Sequence, residues 1–83
     1  MKYIVTLNED EGTEEMFLFP RDVNHDCMAE MVLRLRDQTT GNWKRPKRTL
    51  VSAGFVDGGV CVGYSMTLNL RSRTEDTKLL KLQ

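Results

Sequence analysis

The feature that most limits the fold is Asp57-Gly58-Gly59, set between two apolar runs. The runs are Leu50-Val51-Ser52-Ala53-Gly54-Phe55-Val56 and Val60-Cys61-Val62-Gly63-Tyr64. A tight turn between antiparallel strands needs positive φ at its centre, which glycine adopts at little cost. An antiparallel hairpin is therefore expected across residues 50–64. Ala53, Gly54 and Gly63 are small, so another element is expected to pack closely on this hairpin.

The N-terminal segment predicts a second hairpin. Residues 2–7 alternate, with Tyr3, Val5 and Leu7 on one face and Ile4 and Thr6 on the other, which is strand periodicity. A polar stretch containing Gly12 follows, then Met16-Phe17-Leu18-Phe19, closed by Pro20. Proline cannot donate to a sheet ladder, so the second strand ends there.

Between the hairpins the period changes. Met28, Met31, Val32 and Leu35 recur at i, i+3, i+4 and i+7, the stripe of a helix over 22–37. Asp22 or Asn24 suits its start, Asp26 the positive end of its dipole, and Arg34 and Arg36 the negative end. That stripe makes Met31 and Val32 core positions, where a charge would unfold the domain. This helix is the natural candidate to pack on the small residues of the second hairpin. Gly41 or Asn42 fits its C-terminus. Thr67, Leu68 and Leu70 extend the last strand or form a fifth. Ser72 with Glu75 three residues on has the spacing of a capping box, and Leu79, Leu80 and Leu82 follow, so a C-terminal helix of about two turns is expected. The fold class that emerges is α+β: one domain, 1–83, an antiparallel sheet of four or five strands in the order β-β-α-β-β. One main helix covers a face, and a short helix closes the chain.

Charge is laid out unevenly. Twelve basic residues balance twelve acidic ones. That balance argues against a histone-like cationic protein and an acidic disordered tail. Yet Glu9, Asp10, Glu11, Glu14 and Glu15 cluster early, while Arg34, Arg36, Lys44, Arg45, Lys47 and Arg48 cluster around Trp43. These six cations with Trp43 are the candidate partner-binding residues. Cations beside a flat ring fit an acidic protein surface, or nucleic acid through phosphate contact and base stacking. The plainer alternative is a solvated loop whose cations answer the acidic hairpin, with Trp43 in the core. A twofold dimer setting acidic loop against basic connector is a further expectation.

Catalytic and metal chemistry find little support. His25, Asp26 and Cys27 are consecutive, so on a helix they point apart. With Cys61 they give no fourth ligand for a structural zinc. His25 reads as a polar first-turn residue, and Cys27 and Cys61 as reduced packing thiols. The carboxylate pairs Asp22/Asp26 and Glu75/Asp76 sit at helix starts, where the dipole alone favours them. Gly58, Gly59 and Gly63 are not followed by the Lys-Ser/Thr of a phosphate loop, and Ser52 lacks the glycines of a nucleophile elbow. No catalytic residue, metal or cofactor is assigned. No apolar run approaches the roughly 18 residues of a membrane span, and no secretory signal is evident. A cytoplasmic, non-membrane protein is the expectation.

Three stretches carry a resemblance: Phe19-Pro20 with Asn24-His25-Asp26 and Ala29-Glu30; Ser52-Ala53-Gly54-Phe55; and Leu68-Asn69-Leu70 with Ser72-Arg73 and Glu75-Asp76. Together they resemble small uncharacterised proteins of tailed bacteriophages and prophages. The resemblance implies an accessory protein acting in a bacterial cytoplasm and carries over no functional residues. The expected function is protein–protein contact with a host bacterial protein, without catalysis. The alternative is a nucleic-acid-binding module using the basic 43–48 connector.

Overall fold

The computed structural model of the chain describes residues 1–39 and 48–82, without the side chains of 34–39. The fold is α+β. Strands β1 (Lys2–Asn8) and β2 (Thr13–Phe19) form the first hairpin, and helix α1 (His25–Thr39) follows. Strands β3 (Arg48–Asp57) and β4 (Val60–Val62) form the second hairpin. A two-stranded ribbon, β5 (Tyr64–Ser65) and β6 (Leu70–Arg71), leads into α2 (Thr74–Lys81). The main sheet has four strands in the order β2-β1-β3-β4, with every neighbouring pair antiparallel.

Both hairpins form as the sequence predicts. In the second, Asp57 pairs with Val60, and Gly58 and Gly59 take φ of 58° and 80°, the two positive values that a two-residue turn in a twisted hairpin demands. In the first, the Asn8 side chain accepts the amides of Asp10 and Glu11 at 3.1 and 3.3 Å, and its carbonyl accepts Gly12 N–H at 2.7 Å. The polar loop is thus folded on one asparagine. The β1–β3 register shifts between Val5 and Thr6 and leaves Val51 as the extra residue of a bulge.

β1 lies inside the sheet and is covered on both faces. Ile4 joins Phe19, Ala53, Ala29 and Val32 under α1. Tyr3 and Val5 join Met16 and Cys61 on the opposite face, against Leu79 and Leu80 of α2. The two helices therefore sandwich the sheet, and the last strand-like segment leaves it as a separate ribbon because Gly63 (φ 80°) turns the chain.

Several expectations change. The buried stripe of α1 is His25, Ala29 and Val32, with Met28 partly covered. Met31 is 51% exposed, so the buried face of the helix is turned away from the stripe read in the sequence while keeping Met28 and Val32. His25 is the reason: counted as polar, it is buried, donating from Nε2 to the Gly54 carbonyl at 2.9 Å. Its ring stands edge-on between Phe19 and Phe55, 5.4 Å from each. Cys27 is exposed rather than packed, while Cys61 is buried. The close approach at Gly54 comes from the second hairpin and the chain before α2. A Cβ there would lie 2.5 Å from the Val62 carbonyl and 3.3 Å from Ser72 Cβ. The helix reaches Gly54 through the His25 side chain. Finally, α2 is capped one residue later than Ser72 suggests. Arg73 occupies the cap position, and Asp76, not Glu75, accepts its backbone N–H at 2.8 Å.

Candidate functional site

Two arrangements on this scaffold have chemistry worth building up. The first is internal. Asp76 is fully buried, which an ionised carboxylate tolerates only when its oxygens are satisfied. Oδ2 accepts the Tyr3 hydroxyl at 2.6 Å and the Arg73 amide at 2.8 Å, and Oδ1 accepts Arg73 Nε at 3.0 Å. The same guanidinium donates through Nη1 and Nη2 to both oxygens of Glu14, at 3.0 and 2.9 Å. A continuous chain thus runs from Tyr3 through Asp76 and Arg73 to Glu14, tying β1, α2 and β2 together.

The electrostatics follow the geometry. Burial first, then the bond to Asp76, pushes the Tyr3 phenol above its ordinary 10.0. Glu14 chiefly holds Arg73 in its charged form, against the opposing effect of burial, and Asp76 adds to it. Cys61 lies beside this chain, and its backbone N–H donates to Thr77 Oγ1 at 3.1 Å. Burial and the Asp76 charge push its thiol above 9.0, outweighing the bonds from Thr77 and Tyr3 that act the other way. A thiol so placed is a poor nucleophile at neutral pH. The arrangement anchors a helix. No group of three or more His, Cys, Asp or Glu suited to a metal ion occurs among the described residues.

The second arrangement is on the surface. Val60, Val62, Tyr64 and Met66 recur at every second position and are 47%, 41%, 57% and 81% exposed. Between them Cys61 and Ser65 are buried. Val60 and Val62 flank buried Cys61 along β4; Gly63 then turns the chain, so Tyr64 belongs to β5 of the ribbon and Met66 to the turn that follows it. Val62 pairs with Phe55 and so lies on the α1 side of the sheet, beyond the helix. A hollow of about 360 Å³ opens there between Lys2, His25, Phe55, Tyr64 and Met66.

No protein-family model, curated protein or solved structure matches this chain.

The residues singled out in the sequence are placed as follows. Trp43, Lys44, Arg45 and Lys47 lie outside the described residues, as do the side chains of Arg34 and Arg36. Arg48 is described, and its side chain is only 3% exposed. Its guanidinium donates to Thr6 Oγ1 at 3.2 Å and to Glu15 at 3.1 Å. Arg48 thus answers a carboxylate of the acidic hairpin within its own chain, as the plainer alternative expects. Glu14 is likewise held by Arg73, and Glu9 accepts the Thr49 hydroxyl at 2.6 Å. The acidic cluster is partly a structural partner of these groups rather than a free patch. Sequence reasoning read Val60, Val62 and Tyr64 as strand residues but did not see that they face water. The two-residue period was the available signal; the missing datum was where α1 and α2 stop.

Proposed function

We propose that this chain is a small accessory binding protein that acts by contact with another protein and performs no bond-making chemistry. The observation that carries this reading is the exposure of four apolar side chains within seven residues, Val60, Val62, Tyr64 and Met66. Single exposed apolar side chains are ordinary, whereas contiguous apolar surface usually marks a partner site. Tyrosine and methionine suit such a surface, the first as a rigid anchor and the second as an adaptable filler. The buried, protonated Cys61 and the enclosed His25 lend no competing catalytic centre. The resemblance to small phage and prophage proteins supplies the setting: a host factor in a bacterial cytoplasm. No described helix is long and apolar enough to cross a membrane.

The test is co-purification from bacteria of the tagged chain and of its Val62→Ser/Tyr64→Ser/Met66→Ser variant. These side chains are exposed, so the variant keeps its fold. A protein recovered in amounts comparable to the bait, and lost with the variant, is the expected result. Capture of an identical set by both chains overturns the reading. The nucleic-acid alternative now rests on Trp43, Lys44, Arg45 and Lys47. It requires a gel shift at about 50 mM salt that weakens steeply as salt rises, and absence of a shift ends it.

A further inference from the structure

We infer that the hollow between the first turn of α1 and the β5–β6 ribbon binds a small aromatic acid whose ring carries an N–H or O–H donor. This goes beyond the contact reading and does not depend on it.

The walls of the hollow are fixed by the fold. Gly63 turns the chain so closely on Phe55 that a Cβ there would lie 3.1 Å from the ring. The ribbon beyond is closed by Ser65, whose Oγ accepts the Leu68 amide at 3.3 Å and shares a hydrogen bond with Thr67 Oγ1 at 3.2 Å. Leu68 and Leu70 anchor the ribbon on the α1-side core. The space left is about 360 Å³. That is the small end of the ~300–1,000 Å³ range of ligand pockets, so it suits an occupant of one or two rings. A site whose walls are already in place spends little binding energy on ordering them.

Two polar groups set the chemistry of the occupant. His25 is 5% exposed, and its Nε2 hydrogen is committed to the Gly54 carbonyl. In the neutral ring Nδ1 is then an acceptor, and it has no partner among the described residues. Nor is it sealed in the interior, where the partnerless buried atoms among the described residues are Arg48 Nε and Ser52 Oγ. The open space that the imidazole lines is this hollow. Lys2 lines it too, with Nζ donating to the Val23 carbonyl at 3.0 Å. An ammonium carries three donors, so the rest of its capacity is unspent, and Lys2 forms no ion pair with the described residues. Asp22 and Asp26 flank this turn in sequence but line no part of the hollow. The site therefore asks for an anion at Lys2 and a donor at His25, joined by an apolar body against Phe55, Tyr64 and Met66. Ring stacking and a thioether contact favour an aromatic body. An aromatic acid with a ring N–H or O–H meets all three demands.

The experiment titrates indoleacetate into the isotopically labelled full chain by NMR at pH about 8, where imidazole is neutral. Two analogues run beside it: the N-methyl derivative, which lacks the ring N–H, and tryptamine, which carries an ammonium in place of the carboxylate. The chain has one histidine, so its ring nitrogen signals are unambiguous. Indoleacetate should bind at least about fivefold more tightly than either analogue. It should move the amides of residues 24–25, 55 and 63–67 and shift the Nδ1 resonance, which the N-methyl derivative should leave in place. Lys2→Gln should bring the acid and the amine within about twofold of each other, with amides away from the hollow unmoved as the check on folding. Should that variant fail to fold, the three affinities of the parent chain decide alone. The parent chain binding the amine as tightly as the acid overturns the proposal. So does equal affinity for the methylated and unmethylated acids, or no binding of any probe at millimolar concentration.

Discussion

Replacing Asp76 by asparagine isolates the internal anchor. Every atom facing the Asp76 carboxylate is a donor: Tyr3 Oη, the Arg73 amide and Arg73 Nε. An asparagine NH₂ placed on either side therefore meets an N–H of Arg73. The guanidinium also loses its buried counter-charge and keeps only Glu14, a residue 29% exposed in its side chain. Breaking a buried pair by altering one partner costs about 3–5 kcal/mol. A chain of 83 residues has a total stability of about 4–12 kcal/mol, so the loss approaches the whole at the lower end. Urea unfolding followed by circular dichroism reads it. With a slope near 1–1.5 kcal/mol per molar, a loss of 3 kcal/mol moves the midpoint by about 2–3 M. Tyr3→Phe removes one hydrogen bond to a charged acceptor and should cost about 1.5–3 kcal/mol. Glu14→Gln acts on a partly hydrated pair and should cost about 1 kcal/mol. A midpoint shift under about 0.5 M for Asp76→Asn, or a larger one for Glu14→Gln, would refute the reasoning.

Three further outcomes are expected. Tyr3 and Cys61 both ionise with difficulty in the fold, so their contribution is whole below their unfolded values and fades as pH rises past about 9–10. Alkaline melts should show this decline, and Tyr3→Phe/Cys61→Ala should flatten it; an unchanged alkaline slope counts against the assignment. Met31→Lys should shift stability by under about 0.5 kcal/mol because Met31 is 51% exposed. Val32→Lys, by contrast, should unfold the chain, and chemical denaturation of the two variants compares them directly. Gly54→Ala places a Cβ 2.5 Å from the Val62 carbonyl and should cost about 2 kcal/mol or more through backbone displacement. A melting temperature within 2 °C of the parent would contradict that.

The hairpins were legible because turns are local: Asp57-Gly58-Gly59 and the loop before Gly12 declare themselves in a few residues. The main helix was legible as an element but not in its rotation. Its phase depends on His25, whose burial is set by Phe19 at the end of β2 and by Gly54 and Phe55 of β3. The cap of α2 was misplaced by one residue because arginine is no usual capping residue. Asp76 is drawn to that amide by Tyr3, 73 residues away. The run from Val60 to Met66 was visible as alternation, yet which alternate set faced water depended on helix ends and strand order, both long-range outcomes. The acidic cluster was read as a surface, and the carboxylates of Glu14 and Glu15 prove to be partners of Arg73 and Arg48.

The joining of Tyr3 to Asp76 has a consequence for how the molecule comes into being. The second strand to enter the sheet, β2, can zip onto β1 as soon as Phe19 has been made, but the far side of that pair has no cover until the last helix emerges. A nascent chain therefore carries Tyr3, Val5 and Met16 wet through most of its synthesis, a long interval in which a chaperone or a neighbouring copy competes for the place that α2 will take.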